Sequence, residues 1–299
     1  MSHNHTRTAF NYNKAFIIGI LLNALYIIVE VFIGITYNSM ALLADAGHNF
    51  SDVLGLVLAG GASYLSQKAA TKTKTYGMRK TTILAALINA ILLLIAVGAI
   101  TIEAIQKIFE PQPVSGFTVM VVAGIGVVTN TFTALLFVKG RHSDINIKGA
   151  FLHMAADAAV SLGVVAGGFI IYFTGWYLVD PIISLIIVIV ITLSTWELLK
   201  DSFRLSIDAV PKDIDFIKVR EYLASLDGVN DVHDLHIWPM STTETALTVH
   251  LVVEKQINTD RLIQNIAKTM ETRYFINHVT IQTETNDSDD CKQRPDYVV

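Results

Sequence analysis

The sequence predicts an α-helical membrane protein: six transmembrane helices followed by a C-terminal α+β domain. Three observations carry this. The 299-residue chain is 52% hydrophobic and only 16% charged, whereas soluble domains carry about a quarter charged residues. Its mean hydropathy is positive. Its charge is also unevenly placed: residues 1–208 hold 13 Lys/Arg and 11 Asp/Glu, a net of +2, and residues 209–299 hold 9 and 15, a net of −6. An apolar first two-thirds gives way to a polar, acidic last third. The expected divisions are an N-terminal tail at 1–14, a six-span domain at 15–208, a C-terminal domain at 209–285 and a disordered tail at 286–299.

A membrane span needs about 20 mostly apolar residues. Six stretches qualify, at about 15–36, 40–64, 82–108, 115–138, 148–173 and 179–199. Lys and Arg set the orientation. Arg7 and Lys14 precede span one. Lys68, Lys72, Lys74, Arg79 and Lys80 lie between spans two and three, and Lys139, Arg141 and Lys148 between four and five. Lys200 and Arg204 follow span six, while Lys107 stands alone on the other side. Twelve of thirteen charges therefore share one side, read as cytoplasmic, and both termini lie there.

The stretch "HNFSD" in span two poses the functional question. An Asp at the bilayer centre costs roughly 2.5–3.5 kcal/mol on insertion scales. His48 and Asp52 are i and i+4, on one helical face, and Asp45 joins that face one turn earlier. Span five repeats the arrangement in "HMAAD", with His153 and Asp157. The two spans are antiparallel, and both pairs fall near mid-span. Two imidazoles and two carboxylates at one depth suit a divalent first-row cation, tetrahedral zinc above all. The competing reading makes each pair an internal hydrogen bond that staples helices together. Asn49 and Asn89 read as helix-packing residues, Asn23 as an interhelical hydrogen-bonding residue with an approach to the site as the alternative, and Glu30 as a protonated or paired carboxyl with a structural or proton-linked role. Glu103 sits near the interface, and Asp180-Pro181 reads as a helix start. Gly55, Gly60, Gly61, Gly163, Gly167 and Gly168 permit close helix approach.

The last third reads as α-β-β-α-β: a helix at 213–228, strands at 229–240 and 244–255, a helix at 259–274 capped by Thr259, and a strand at 278–284. About 75 residues make a modest core, which dimerisation would supplement. His233 and His236, three apart on a strand, are expected on opposite faces. His233, His250 and Glu284 are candidates for a second metal site beside the ordinary reading of solvated histidines.

Several classes are excluded or disfavoured. The single cysteine, Cys291, rules out a disulfide framework. No signal peptide is read at the N-terminus. No basic stripe with interleaved aromatics points to nucleic acid. No GxxxxGK[ST] loop is present, so energy is expected from a gradient rather than ATP. The alternatives retained are an intramembrane metal-dependent hydrolase, against which the missing HExxH counts, and a passive cation channel gated by metal in the C-terminal domain.

The segments "SMALLADAGHNFSD", "TKTKTYGMRK", "NIKGAFLHMAAD" and "HDLHIW" resemble those of the cation diffusion facilitator family, with a match running from about residue 14 to 285. The resemblance implies a homodimeric secondary transporter, not an enzyme, that exchanges cytoplasmic metal for external protons by alternating access. His48, Asp52, His153 and Asp157 fall on the transport-ligand positions, and this two-His, two-Asp set accompanies zinc preference, often with cobalt or cadmium. The C-terminal domain is implied to be cytoplasmic and metallochaperone-like, binding regulatory zinc and dimerising. His233 and His250 match two of its ligands, while Gln282 and Glu284 depart from the His and Asp of some members. The loop at 65–81 has no His or Asp, and the linker at 139–147 is short. These features suggest a bacterial plasma-membrane exporter of the metal-resistance type.

Overall fold

The computed structural model describes residues 13–138 and 145–285. The expected tail at 286–299 with Cys291, nearly all of the N-terminal tail and most of the 139–147 linker lie outside the described residues.

Six long helices come first: α1 Asn13–Thr36, α2 Met40–Ser66, α3 Thr81–Phe109, α4 Gly116–Phe137, α5 Ile145–Thr174 and α6 Val179–Ser206. At about 1.5 Å per residue, each exceeds the roughly 30 Å of a hydrocarbon core. Five are long and apolar enough to cross a membrane on length and composition. α2 has 27 residues but a less apolar sequence, because Asp45, His48, Asn49 and Asp52 interrupt it. The residues that make α2 interesting are thus those that depress its hydropathy. α6 runs seven residues past its expected end, through "DSFRLS".

The described residues fall into two compact units, one of residues up to Val57 with Asn89–Glu197, the other of Leu58–Ile88 with the chain from Leu198 onward. In the first unit, Tyr26, Leu42, Val97, Val119, Val164 and Ile191 belong to one buried apolar cluster. α4 and α5 approach backbone to backbone: a Cβ on Gly116 would lie 2.6 Å from Gly168 O, and one on Gly168 would lie 2.7 Å from Met120 N. Only glycine permits that approach. Gly60, Gly61 and Gly163 differ from expectation, since a Cβ there would meet nothing within 4 Å. Asp180 does more than expected. It lies in the first turn of α6, as the expected helix start has it, and it also serves α2: its carboxylate accepts from Ser39 Oγ at 2.5 Å, Met40 N at 2.5 Å and Ala41 N at 3.3 Å. It therefore satisfies amides that the first turn of α2 leaves open. Lys107 reaches back to the α1–α2 turn, donating to Asn38 O at 2.8 Å and Asn38 Oδ1 at 2.5 Å.

The second unit holds α7 Phe216–Ala224, β1 Val229–Pro239, β2 Thr245–Val253, α8 Thr259–Tyr274 and β3 His278–Thr285. β2 is central, antiparallel to β1 and parallel to β3. Val219 and Leu223 of α7 and Leu262, Ile266 and Met270 of α8 cover the sheet face formed by Val232, Ile237, Leu247, Val249 and Leu251. α7 is shorter than expected because Asp215 caps it, accepting from Ile217 N and Lys218 N. The cap of α8 is Asn258, whose side chain accepts from Arg261 N, not Thr259. The segment "TKTKTYGMRK" is tied to the C-terminal part of this unit. Arg79 Nη1 lies 2.6 Å from Glu244 Oε1 and Lys80 Nζ 2.7 Å from Asp208 Oδ1. Thr242 N donates to Thr82 Oγ1 at 3.1 Å.

Candidate metal centres

In the first unit, α2 and α5 bring the two His-Asp pairs together. His48 Nε2 lies 3.1 Å from Asp157 Oδ1 and 3.9 Å from Asp52 Oδ2. His153 Nε2 lies 3.3 Å from Asp52 Oδ2 and 3.8 Å from Asp157 Oδ2. The shortest contacts cross from one helix to the other rather than staying within a pair. That geometry disfavours the reading of each pair as a self-contained staple. A tetrahedron with bonds of about 2.0–2.1 Å has edges of roughly 3.3 Å, close to these spacings. One ligand atom each from His48, Asp52 and Asp157 lies within 4.8 Å of the others; His153, more exposed and outside that group, contacts both carboxylates. Asp157 is buried, and neither its Oδ2 nor Asp52 Oδ2 has a hydrogen bond of good geometry. Two carboxylates offer the charge a dication needs in a low-dielectric site.

Asn23 stays nearby but not as a ligand: its Nδ2 points to Met154 Sδ at 4.0 Å. Asn89 packs beside Gly55, with its Nδ2 3.2 Å from where a Cβ would sit. Asp45 is not one of the four; it accepts from Ser161 Oγ at 2.9 Å.

In the second unit, the sheet face away from α7 and α8 carries the other cluster. His250 Nδ1 lies 3.0 Å from Glu284 Oε1, and His233 Nε2 lies 3.6 Å from Glu284 Oε2. Both histidines are buried, with ring centroids 5.3 Å apart. Gln282 Nε2 donates to Glu284 Oε1 at 3.3 Å. The expectation that His233 and His236 face opposite ways is overturned. The β1–β2 register slips between them: His233 pairs with His250 and His236 with Thr248. Thr248 and His250 are two apart on β2 and share a face, so both β1 histidines do as well. The slip is centred on Asp234, at φ +50°. Its carboxylate lies 2.7 Å from His236 Nε2 and 3.4 Å from His250 Nε2. Asp234 was missed in the sequence reading; a carboxylate between two histidines in "HDLH" was the available signal.

Comparison with known proteins follows the same division of the chain. Residues 16–205 match the cation efflux transmembrane domain, and residues 211–286 match the cation efflux protein cytoplasmic domain. The chain belongs to the cation efflux family. It is 34% identical over 283 residues to the metal cation efflux system protein CzcD of Cupriavidus metallidurans, covering 94% of this chain and 89% of that one. It is also 34% identical over 290 residues to the cadmium, cobalt and zinc/H(+)-K(+) antiporter of Bacillus subtilis, covering 95% and 92%. To the zinc transporter ZitB of Escherichia coli it is 32% identical over 291 residues, covering 95% and 93%. The metal-bound C-terminal domain of the CzcD transporter aligns with 24% of this chain and 99% of that domain at 32% identity, with a TM-score of 0.23. Membership of the cation efflux family makes the chain an integral membrane transporter rather than an enzyme.

Proposed function

We propose that the chain exports Zn²⁺ from the cytoplasm, with Co²⁺ and Cd²⁺ as further substrates, in exchange for protons. The ion is held by His48, Asp52, His153 and Asp157. The observation that carries this is the cross-helix convergence of the four side chains at 3.1 to 3.9 Å. The names of the relatives, two of which specify zinc, support the choice of cargo.

The site works by competition. Imidazole and carboxylate bind metal only when deprotonated, so metal and protons contend for the same lone pairs. Histidine changes state near neutral pH. A site open to the cytoplasm loads Zn²⁺ while releasing protons. Open to the other side, it takes up protons at His48 or His153 and loses the ion. Asp52 and Asp157 balance the +2 charge and so lower the cost of burying it. The ligands come from two helices, so a small relative movement of α2 and α5 opens the coordination shell.

The same proposal places the transport domain at 15–208, a cytoplasmic metal-binding and dimerisation domain at 209–285, and both termini in the cytoplasm. The protein then acts as a homodimer in a bacterial plasma membrane. His233, His250 and Glu284 hold a regulatory zinc, with Asp234 orienting His250.

Zinc uptake into inverted proteoliposomes tests the antiport. With an acidic interior, zinc should accumulate against its own gradient and the interior should become more alkaline. A protonophore should abolish accumulation. Zinc that merely equilibrates, with or without the protonophore, identifies a passive channel and overturns the proposal.

A further inference from the structure

One turn from the metal ligands lies a second buried polar group that the ion does not require. Glu30 on α1 and Asp45 on α2 are both fully buried. Glu30 Oε1 accepts from Tyr26 Oη at 2.8 Å, and Asp45 Oδ2 accepts from Ser161 Oγ at 2.9 Å. That leaves one oxygen on each carboxyl, Glu30 Oε2 and Asp45 Oδ1, without a partner. Tyr26 Oη and Ser161 Oγ both lie against Gly126, within 3.1 Å of where a Cβ would sit, so the two carboxyls they serve share one buried pocket. No Lys or Arg joins them among the described residues. Asn49, also fully buried, reaches Glu30 from α2, and its amide atoms make no hydrogen bond of good geometry.

Two ionised carboxylates facing each other in a membrane interior, with no cation, are prohibitively costly. A single proton held by the pair removes one of those charges. We propose that Glu30 and Asp45 share one exchangeable proton and form a protonation station, separate from the metal ligands, that contributes to the counterflow. The proposal rests on the antiport reading above and adds to it a carrier outside the coordination shell.

The surroundings fit a relay. Asp45 is one turn from His48 on α2, and Ser161 is one turn from Asp157 on α5. The ionisable groups facing the pair are Tyr26 on α1, His48 on α2 and Asp157 on α5. α4 has no ionisable residue and presents Gly126, where a Cβ would lie 3.1 Å from Ser161 Oγ. Loading the site with Zn²⁺ places positive charge beside Asp45, which favours release of the shared proton. Departure of the ion favours its return. In that step the O–H bond at Glu30 breaks, both carboxyls become anionic beside the dication, and the proton leaves to cytoplasmic water, because the loaded ligands hold metal only when deprotonated.

Glu30→Gln is the decisive variant. Its amide keeps the shape of the side chain and still accepts from Tyr26 Oη, but it cannot release a proton. A merely structural Glu30 predicts a variant with native zinc-to-proton exchange. The proposal predicts zinc binding in detergent that depends less steeply on pH than native, a lower proton-to-zinc ratio in proteoliposomes by the proton the pair carries, and a flatter pH profile of uptake. Asp45→Asn should lower the ratio in the same way. Infrared difference spectra of the native protein with isotope-labelled glutamate should show a carboxylic-acid band that shifts on zinc loading. That measurement decides the matter should both variants fail to fold. Native exchange with an unchanged ratio in both variants, or no zinc-sensitive glutamic-acid band, overturns this proposal alone. Native zinc transport without proton release overturns the antiport reading and this proposal with it.

Discussion

Asp180 on α6 caps α2, accepting from Met40 N at 2.5 Å across 140 residues of sequence. The helix that carries His48 and Asp52 is therefore anchored at its first turn by the helix that follows α5. Removing the carboxylate opens two α2 amides and the Ser39 hydroxyl inside the protein. Asp180→Ala should destabilise by about 2–4 kcal/mol, combining a lost cap with buried unsatisfied groups. Asp180→Asn should lose less, because one acceptor remains. Thermal unfolding in detergent measures both. An Asp180→Ala variant as stable as native would show that the cap contributes nothing.

The paired charges of the second unit should matter less to stability. The side chains of Lys80 and Asp208 are each about half exposed, as is usual for pairs worth little in water. Asp208→Asn should change stability by less than about 1 kcal/mol. A loss of several kcal/mol would mean that the pair is desolvated in the working protein.

His250→Ala should remove zinc from the sheet cluster while sparing the membrane ligands. Equilibrium dialysis of the full-length chain is expected to show fewer bound zinc ions than native, with vesicle uptake still present at saturating zinc. Asp234→Asn, which keeps the shape of the bulge, should weaken that zinc binding less than His250→Ala. Equal zinc content in native and His250→Ala protein would exclude the cluster as a metal site.

Acid should loosen α7 before the rest of its domain. The backbone N–H of Lys218, with further help from the Lys218 side chain and Ile217 N, holds the Asp215 carboxyl below its usual range. A depressed folded value means that the cap's contribution is present above the unfolded value of about 3.9 and fades as pH falls through the folded one. Asp215→Asn should remove this acid sensitivity. Amide exchange at Ile217 and Lys218 between pH 5 and pH 2, in native and variant protein, measures it.

Much of the architecture was legible because it is written in periodicity. Six apolar stretches and the alternation of "VNDVHDLHIWP" follow from burial demands acting at every residue. The spacing of His48 with Asp52 and of His153 with Asp157 put each pair on one helical face, and antiparallel topology put the faces at one depth. Less legible were features set by partners far along the chain. Asp180 read only as a local helix start, which it is, because the amide it caps, Met40, lies 140 residues away. Asp234 escaped notice because a bulge changes which face a residue takes, and strand alternation assumes none. Tyr26 and Ser161 drew no attention because a single hydroxyl in a span costs little. Only their contacts to Glu30 and Asp45 show that they serve a buried carboxyl pair.

The central claim is that His48, Asp52, His153 and Asp157 form one ion site. Asp157 is the most buried of the four and touches both histidines. The most direct test is zinc binding and proton-driven zinc uptake by Asp157→Ala beside native protein, with folding checked by thermal unfolding. The account predicts a folded variant that has lost high-affinity zinc binding in the membrane domain and has lost both zinc accumulation and proton release. A folded variant that binds and accumulates zinc as the native protein does would contradict it, and would return the two His-Asp pairs to the role of helix staples.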